Sequence, residues 1–558
     1  MKKTRNVMIF LLALTILSGM VLAGCGSAPA ATTQPAAGNT ATAASGATNA
    51  PTTAALEPAT LTYWITGPNK QKDSDTVWAA VNKLLAEKLP NTTVEFNVVS
   101  PGEYADKWAR ALAAQEKIDV AWLGWMINVL DEANKGSVMP LDDLLVANGK
   151  DLVAALGEDV INVHRLPDGH IYQIPCWQGL VGGRYGIFFP KELSDLAGSS
   201  FIKDFQDLMY ANWDKPTAEA KSKAFDMMET YLKATKDAGK LAKGYNVHTL
   251  YTWWLLNGIA RISNTGNSTV SGEYAYVEYG DDGFTVKSTQ ESDFIKMNYQ
   301  YVAKWFDAGY IRSDIASLEA VSGGADEWRV DKAWANSYNV TAHNAFTDTI
   351  GSQLTTECGF DVAVAFTNPT CEYTLGTATG TGIPTTSKNP ERAMMLMNLL
   401  YSDAGKDIYQ TYVYGIKDTH WTDNGDGTVK TLSGDGQATD EWAYGNWKWV
   451  IGSCMNALVT QADAKGYYEE LKSLESTARV NPIIGFKFDN TPVESIKAQL
   501  DAITGEYISM LYRGYLGSGW EAKYNEYIQK MKDAGLDQYL AEVQKQLADY
   551  VAKTKVKW

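Results

Sequence analysis

Leu61-Thr62-Tyr63-Trp64-Ile65-Thr66, the alternation of Val94, Phe96 and Val98, and Ile118-Asp119-Val120-Ala121-Trp122-Leu123 are three strand-like runs, and their reading decides the fold. Between the first two, residues 74–89 carry Val77, Val81, Leu84 and Leu85 on one helical stripe, with Asp75 near the start. Residues 104–117 repeat a helical pattern between the second and third. Strand, helix, strand, helix, strand implies a mainly parallel sheet with right-handed crossovers. In such sheets ligands collect at the loops leaving the strand carboxyl ends. Here those loops begin at Gly67 and Gly124.

Outward from this unit the chain is helix-rich. Residues 218–237 and 292–308 have helical periodicity, and Asn389-Pro390-Glu391 gives an N-cap, a first-position proline and an early acid for a helix through Tyr401. Asp281-Asp282-Gly283 and Asn424-Gly425-Asp426-Gly427 look like hairpin turns. Three helical stretches, 493–511, 521–533 and 537–553, close the chain. With 558 residues there is more than one lobe, since single cores stop growing at roughly 250–300 residues. A net charge of −16 argues against nucleic acid, whose phosphates need a basic footprint.

The first residues read as an address. Lys2, Lys3 and Arg5 precede an apolar run over residues 7–22, the layout of an export signal. The run ends in Leu22-Ala23-Gly24-Cys25, which resembles the lipobox of bacterial lipoproteins. That resemblance implies cleavage after residue 24, lipidation at Cys25 and a cell-membrane location on the extracytoplasmic face. Residues 26–59 are rich in Ala, Thr and Pro with a single charge, Glu57, and read as a flexible tether. The membrane is therefore met only through the lipid. The other cysteines, Cys176, Cys358, Cys371 and Cys454, either pair after export or stay as buried thiols. Cys358 and Cys371 flank a short strand-like run and make the first bridge to consider.

Four segments in order resemble the extracellular solute-binding proteins of ABC importers, the family that includes maltodextrin-binding proteins. They are the run from Tyr63 to Lys70, Ile118-Asp119-Val120-Ala121-Trp122 with Gly136-Ser137-Val138-Met139-Pro140, Asp168-Gly169-His170-Ile171-Tyr172-Gln173-Ile174-Pro175, and Thr381-Gly382-Ile383-Pro384 continuing to Glu391. The C-terminal part, with Asn481-Pro482-Ile483-Ile484-Gly485-Phe486-Lys487-Phe488-Asp489 and Trp442-Ala443-Tyr444-Gly445-Asn446-Trp447, is similar to that of LipO-type lipoproteins. The resemblance implies a two-lobed α/β fold with hinge crossovers and a helical C-terminal region. It places a first lobe at 60–176 with a return segment at about 360–410. The second lobe would be 177–359, joined by a C-terminal region at about 411–558.

Chemistry-bearing motifs are missing. There is no HExxH, CxxC, Gly-x-Ser-x-Gly or P-loop, and the five histidines show no paired metal spacing. No enzyme activity, cofactor or metal is therefore expected. The aromatics say more: 18 Trp and 30 Tyr suit the apolar faces of sugar rings, while Asn, Gln and Lys bond the hydroxyls. An indole at any one position serves a core as readily as a ligand. Placement favours Trp125 after a strand, Trp177 beside the hinge and Trp447 by the second lobe. Trp122 and Trp253 are weaker candidates, whereas Trp78 and Trp305 fall on helical stripes and belong to the core. By the resemblance, Asn69 and Lys70 occupy a sugar-reaching turn, Gln178 the hinge crossing, and Thr249 and Asn339 further ligand turns.

These readings converge on a monomeric, lipid-anchored receptor delivering a carbohydrate, an oligosaccharide, to the permease subunits of an ABC importer. Two alternatives stand beside it. One keeps the fold but binds a peptide or other small solute, and would need basic partners for an anionic ligand end. The other is a secreted glycan hydrolase, which would show a carboxylate pair facing the aromatics. A plain adhesive module would lack a cleft.

Overall fold

Strand β1 (Ala59–Thr66) pairs in parallel with β2 (Thr92–Val99) on one side and β3 (Val120–Gly124) on the other, as the opening runs require. This is a computed structural model. It describes residues 56–179, 185–240, 259–262, 274–317, 341–344, 355, 360–370, 379–431, 443–460, 473–474, 477–479 and 481–558. Leu61, Tyr63 and Ile65 are buried on one face of β1, and Val77, Val81 and Leu85 of the helix Ser74–Lys88 are buried in the same core. The next helix is Pro101–Ala113 rather than 104–117. Pro101 presets its first turn, and Gln115 at φ 54 ends it.

Two further strands complete this sheet from distant chain: β4 (Ile174–Pro175) and β11 (Thr379–Gly382), in the order β2-β1-β3-β11-β4, with β11 antiparallel to both neighbours. Glycine is required in β11. A Cβ at Gly382 would lie 2.5 Å from Leu123 Cδ1, and one at Gly380 2.9 Å from Gln173 Cδ. The buried Asp119 staples the returning chain to the sheet. Its carboxylate accepts from Thr62 N (3.0 Å), Ser387 Oγ (2.8 Å) and Lys388 N (3.1 Å) and pairs with Lys117. Burial pushes this carboxyl up, but the bonds together outweigh it and hold it below the usual carboxylate range.

The second lobe is built on β5 (Tyr185–Pro190), flanked antiparallel by β9 (Thr341–Asn344) and β10 (Val362–Phe366). The helices Phe201–Ala211 and Ala218–Asp237 cover it with Phe201, Phe205, Phe225, Met228 and Leu232. A third core joins the small sheet β6 (Ile259–Ile262), β7 (Ala275–Glu278) and β8 (Lys287–Ser288) to the terminal helices Glu494–Arg513, Trp520–Asp533 and Leu536–Thr554. Helix Asp293–Asp307 serves both cores, giving Phe294, Ile295 and Tyr299 to one and Val302 and Trp305 to the other. No helix among the described residues is long and apolar enough to cross a membrane.

The expected lobe boundaries need correction at two places. Strand β10 lies in the second sheet, so within the expected return segment of 360–410 it is β11, at 379, that joins the first sheet. Residues 411–431 and 443–458 were expected by the second lobe, yet they lie with the first. Helix Lys406–Tyr414 buries Ile408, Tyr409, Tyr412 and Val413, and Tyr412 meets Phe96 of β2 at 4.6 Å between ring centroids. After it come the hairpin β12 (Trp421–Asp423) and β13 (Val429–Thr431) at the anticipated Asn424–Gly427 turn, then Tyr444, Val450 and Ile451 in the same core. Asn389 stands before its helix as expected, but its side chain makes no capping bond.

Candidate functional site

Three chain segments meet at the carboxyl ends of β1 and β3: the turn after Gly67, the turn after Gly124 and the segment 443–453. Gly124 pairs with Thr379 at the start of the antiparallel β11, and β4 leads directly into Trp177 and Gln178. The first turn is held by Gln71, whose amide donates to Gly445 O (2.6 Å) and accepts from Gly445 N (2.8 Å). Asp73 N donates to Ala443 O (3.0 Å). The buried His420 adds a second tie. Its Nδ1 accepts from Ile416 N (3.0 Å), which leaves the proton on Nε2 to face Asp73 Oδ2 at 3.3 Å. Gly415 makes room for that imidazole: it sits at φ 82, and a Cβ would lie 2.6 Å from His420 Cγ.

Along this edge runs a ladder of indoles. Trp122 meets Trp125 edge-on at 4.8 Å, Trp125 meets Trp449 at 5.3 Å, and Trp449 stacks on Trp447 at 4.9 Å with planes 13° apart. Trp125, Trp447 and Trp449 are half-buried, so each keeps part of its ring open, while Trp122 is wholly buried. Trp122 folds back over Gly124, where a Cβ would fall 1.9 Å from Trp122 Cζ2, and Tyr104 closes its other side at 5.3 Å. Thr379 Oγ1 fixes the far end by donating to Trp449 O (3.2 Å), and Gln178 Nε2 donates to Thr379 Oγ1 at 3.5 Å. Among the described residues, Trp447 Nε1, Trp122 Nε1 and Asn128 Nδ2 are buried donors without a partner.

The structure brings together Trp125, Trp447 and Gln178 from the sequence candidates, and corrects others. Trp122 is a core residue, because its ring is sandwiched between Tyr104 and the Gly124 turn. The Trp177 side chain is also buried. Its backbone bonds Gly452 O (2.8 Å) and Cys454 N (2.7 Å) and so holds the 452–454 segment in place. Trp447 sits on the first lobe, not by the second. Asn69, at φ 65, accepts from Ser100 N (2.8 Å), and exposed Lys70 pairs with Asp75 (2.8 Å) above Trp78. Both therefore shape the turn. Thr249, Trp253, Asn339, Cys25 and the Cys358–Cys371 pair lie outside the described residues.

Sequence reasoning missed Trp449. Spacing alone would not have found it: Trp449 lies in a 3-10 turn, Lys448–Val450, and it is that turn which lays its ring on Trp447. Of the two outcomes the sequence left open for the cysteines, Cys176 and Cys454 follow the second and are buried thiols, with burial pushing the Cys176 thiol up to about 12. Neither thiol is poised to react. Among the described residues no group of three His, Cys, Asp or Glu is placed to hold a metal.

Residues 482–552 match a family described as a domain of unknown function, DUF3502. No curated protein matches the chain. Solved structures match it over nearly its whole length. The N-glycan transport solute binding protein NgtS from Streptococcus pneumoniae is 18% identical with a TM-score of 0.67, covering 89% of this chain and 100% of that one. FusA, an ABC-transporter substrate binding protein of S. pneumoniae in complex with kestose, is 15% identical with a TM-score of 0.57, over 89% and 100%. An HMO binding, ABC-transporter associated solute binding protein from Bifidobacterium longum infantis is 15% identical with a TM-score of 0.56, over 88% and 99%. The chain has the two-lobed α/β fold of ABC-transporter solute-binding proteins.

Proposed function

We propose that this protein is a binding receptor that delivers a carbohydrate, an oligosaccharide, to an ABC importer, and that it acts without chemical turnover. The observation that carries the reading is the half-buried ladder Trp125–Trp449–Trp447 at the strand-end edge of the first sheet. Indoles offer apolar faces to sugar C–H groups, and Gln178 at the rim offers hydrogen bonds to hydroxyls. The fold adds support, since proteins sharing it have been solved with Man5GlcNAc and with kestose. Ligand contacts made with both lobes would shift the population towards a closed form that a permease distinguishes from the open one. Cys25, lipidated after removal of residues 1–24, would hold the folded body at the outer face of the cell membrane through the Ala- and Thr-rich tether.

A thermal-shift screen across oligosaccharides, peptides and monosaccharides tests this. A ligand at a hundred times its Kd stabilises by about 2.7 kcal/mol. The expected result is a rise in melting temperature with an oligosaccharide, recovered intact after long incubation. A shift with peptides alone, or cleavage products in excess of protein, would contradict the reading.

A further inference from the structure

One edge of the second sheet is turned towards the first lobe. Strand β5 begins seven residues after Gln178, and β10 ends beside its start, with Phe366 opposite Gly186. From there the chain returns to the first sheet. Thr370 is nine residues before Thr379, a span of at most about 32 Å, and Thr379 Oγ1 donates to Trp449 O of the ladder. Helix Phe201–Ala211 runs towards this edge. Its Phe201 meets Phe189 at 5.5 Å, near the far end of β5, whereas Gln206 Oε1 accepts from Phe366 N (3.0 Å). Five more residues carry the helix about 7.5 Å past that bond, so Trp213, just beyond its end, stands at the edge facing the first lobe.

An independent set of contacts puts Trp213 in the same place. Thr370 Oγ1 donates to Thr477 O (2.8 Å), and two residues further on the Arg479 guanidinium lies over the Trp213 ring at 4.2 Å and over the Tyr279 ring at 3.7 Å. The same guanidinium donates to Asp214 Oδ1 (3.0 Å). The Arg479 side chain is only 12% exposed and the Asp214 side chain 57%. One face of the indole is therefore covered by a fixed cation. Trp213 is half-buried, yet it joins none of the hydrophobic cores formed by the described residues, and its ring nitrogen makes no hydrogen bond among them. The core indoles differ: Trp108 and Trp305 are wholly buried and donate to Glu132 and Glu229. Trp213 shares the half-open state of the ladder.

We infer that Trp213 is the second-lobe platform for the carbohydrate. A sugar ring stacks on the indole face away from Arg479, and the exposed Asp214 accepts hydrogen bonds from its hydroxyls. This rests on the carbohydrate reading and deepens it, because it names the surface that opposes the ladder. Arg479 is a positioning residue: one guanidinium fixes both Trp213 and Asp214, so little side-chain freedom is left to lose on binding. A ligand held by the ladder and by Trp213 together favours the closed form.

The test takes the oligosaccharide that raises the melting temperature most and follows it by calorimetric titration and small-angle scattering. Saturated wild-type protein becomes more compact. Trp213→Ala binds about tenfold more weakly and stays expanded when saturated, with a ligand-free melting temperature close to the wild type. Trp213→Tyr keeps a platform and restores most of the affinity and the compaction. A tryptophan that only shields Arg479 behaves in the opposite way, with normal affinity and compaction but a lowered melting temperature. Unchanged affinity or unchanged compaction in Trp213→Ala overturns this inference alone, since binding to the wild type still supports the carbohydrate reading. If no oligosaccharide binds the wild type, that reading fails and takes the inference with it.

Discussion

The first lobe and the C-terminal region are both crowded with aromatic rings, and they use them in opposite ways. At the edge of the first sheet, tryptophans lean on one another with rings part open and with the Trp447 ring nitrogen unpartnered. In the C-terminal core several rings are tyrosines whose hydroxyls are engaged. Tyr274 donates to Asp501 (2.6 Å), Tyr507 to Glu526, and Tyr524 to Gln290 O (3.1 Å), while Tyr527 shares a bond with Thr504 (3.1 Å). A ring whose polar atom is satisfied inside the fold is a structural part. A half-open indole on a strand-end loop has something left to offer a ligand. Aromatic content alone therefore does not locate a site, but the state of the polar atoms and the burial of each ring do.

The comparison can be broken most sharply at Trp122, which belongs to the ladder by contact and to the core by burial. Trp122→Ala should cost about 3–5 kcal/mol of stability, read as a large drop in the urea midpoint. A near-normal midpoint would return Trp122 to the ligand side. Next in size is Asp119, which joins the first sheet to the returning chain. Asp119→Ala strands one buried and two part-buried donors and should cost about 2 kcal/mol. Its lowered carboxyl also gives a pH signature. The contribution is complete above the ordinary carboxylate range and is lost as pH falls through the folded value, so the variant should lose less stability in acid than the wild type. Equal acid losses would show that Asp119 is not the linkage. Smallest is Tyr274→Phe in the C-terminal core. It should lower stability by about 1 kcal/mol and leave ligand affinity unchanged, and an altered Kd would bring that core into the binding site.

Much of the architecture was legible in the sequence because its signals are local. Alternation in Val94, Phe96 and Val98 and the stripe Val77, Val81, Leu84, Leu85 give β1, β2 and the helix between them nearly to the residue. Pairings across long chain separations were not legible. The return of Thr379 to the first lobe came from the family resemblance alone, and nothing near Tyr412 announces that it joins a lobe begun three hundred residues earlier, since a short strand and an amphipathic helix carry no address. The candidate site divides the same way. Trp125 and Trp447 could be picked from position, but burial separates them from Trp122 and Trp177, and only the folded chain shows Trp449 between them.

The ladder's role is tested most directly by titrating an oligosaccharide found in the screen into Trp449→Ala and Trp125→Ala, with thermal unfolding of each variant run beside it. Stacking and its buried area are worth about 1–3 kcal/mol per ring, a five- to hundred-fold loss of affinity. The account predicts that loss for each variant, with a ligand-free melting temperature close to the wild type. Full affinity together with a collapsed melting temperature would show that these indoles are core and that the ligand binds elsewhere.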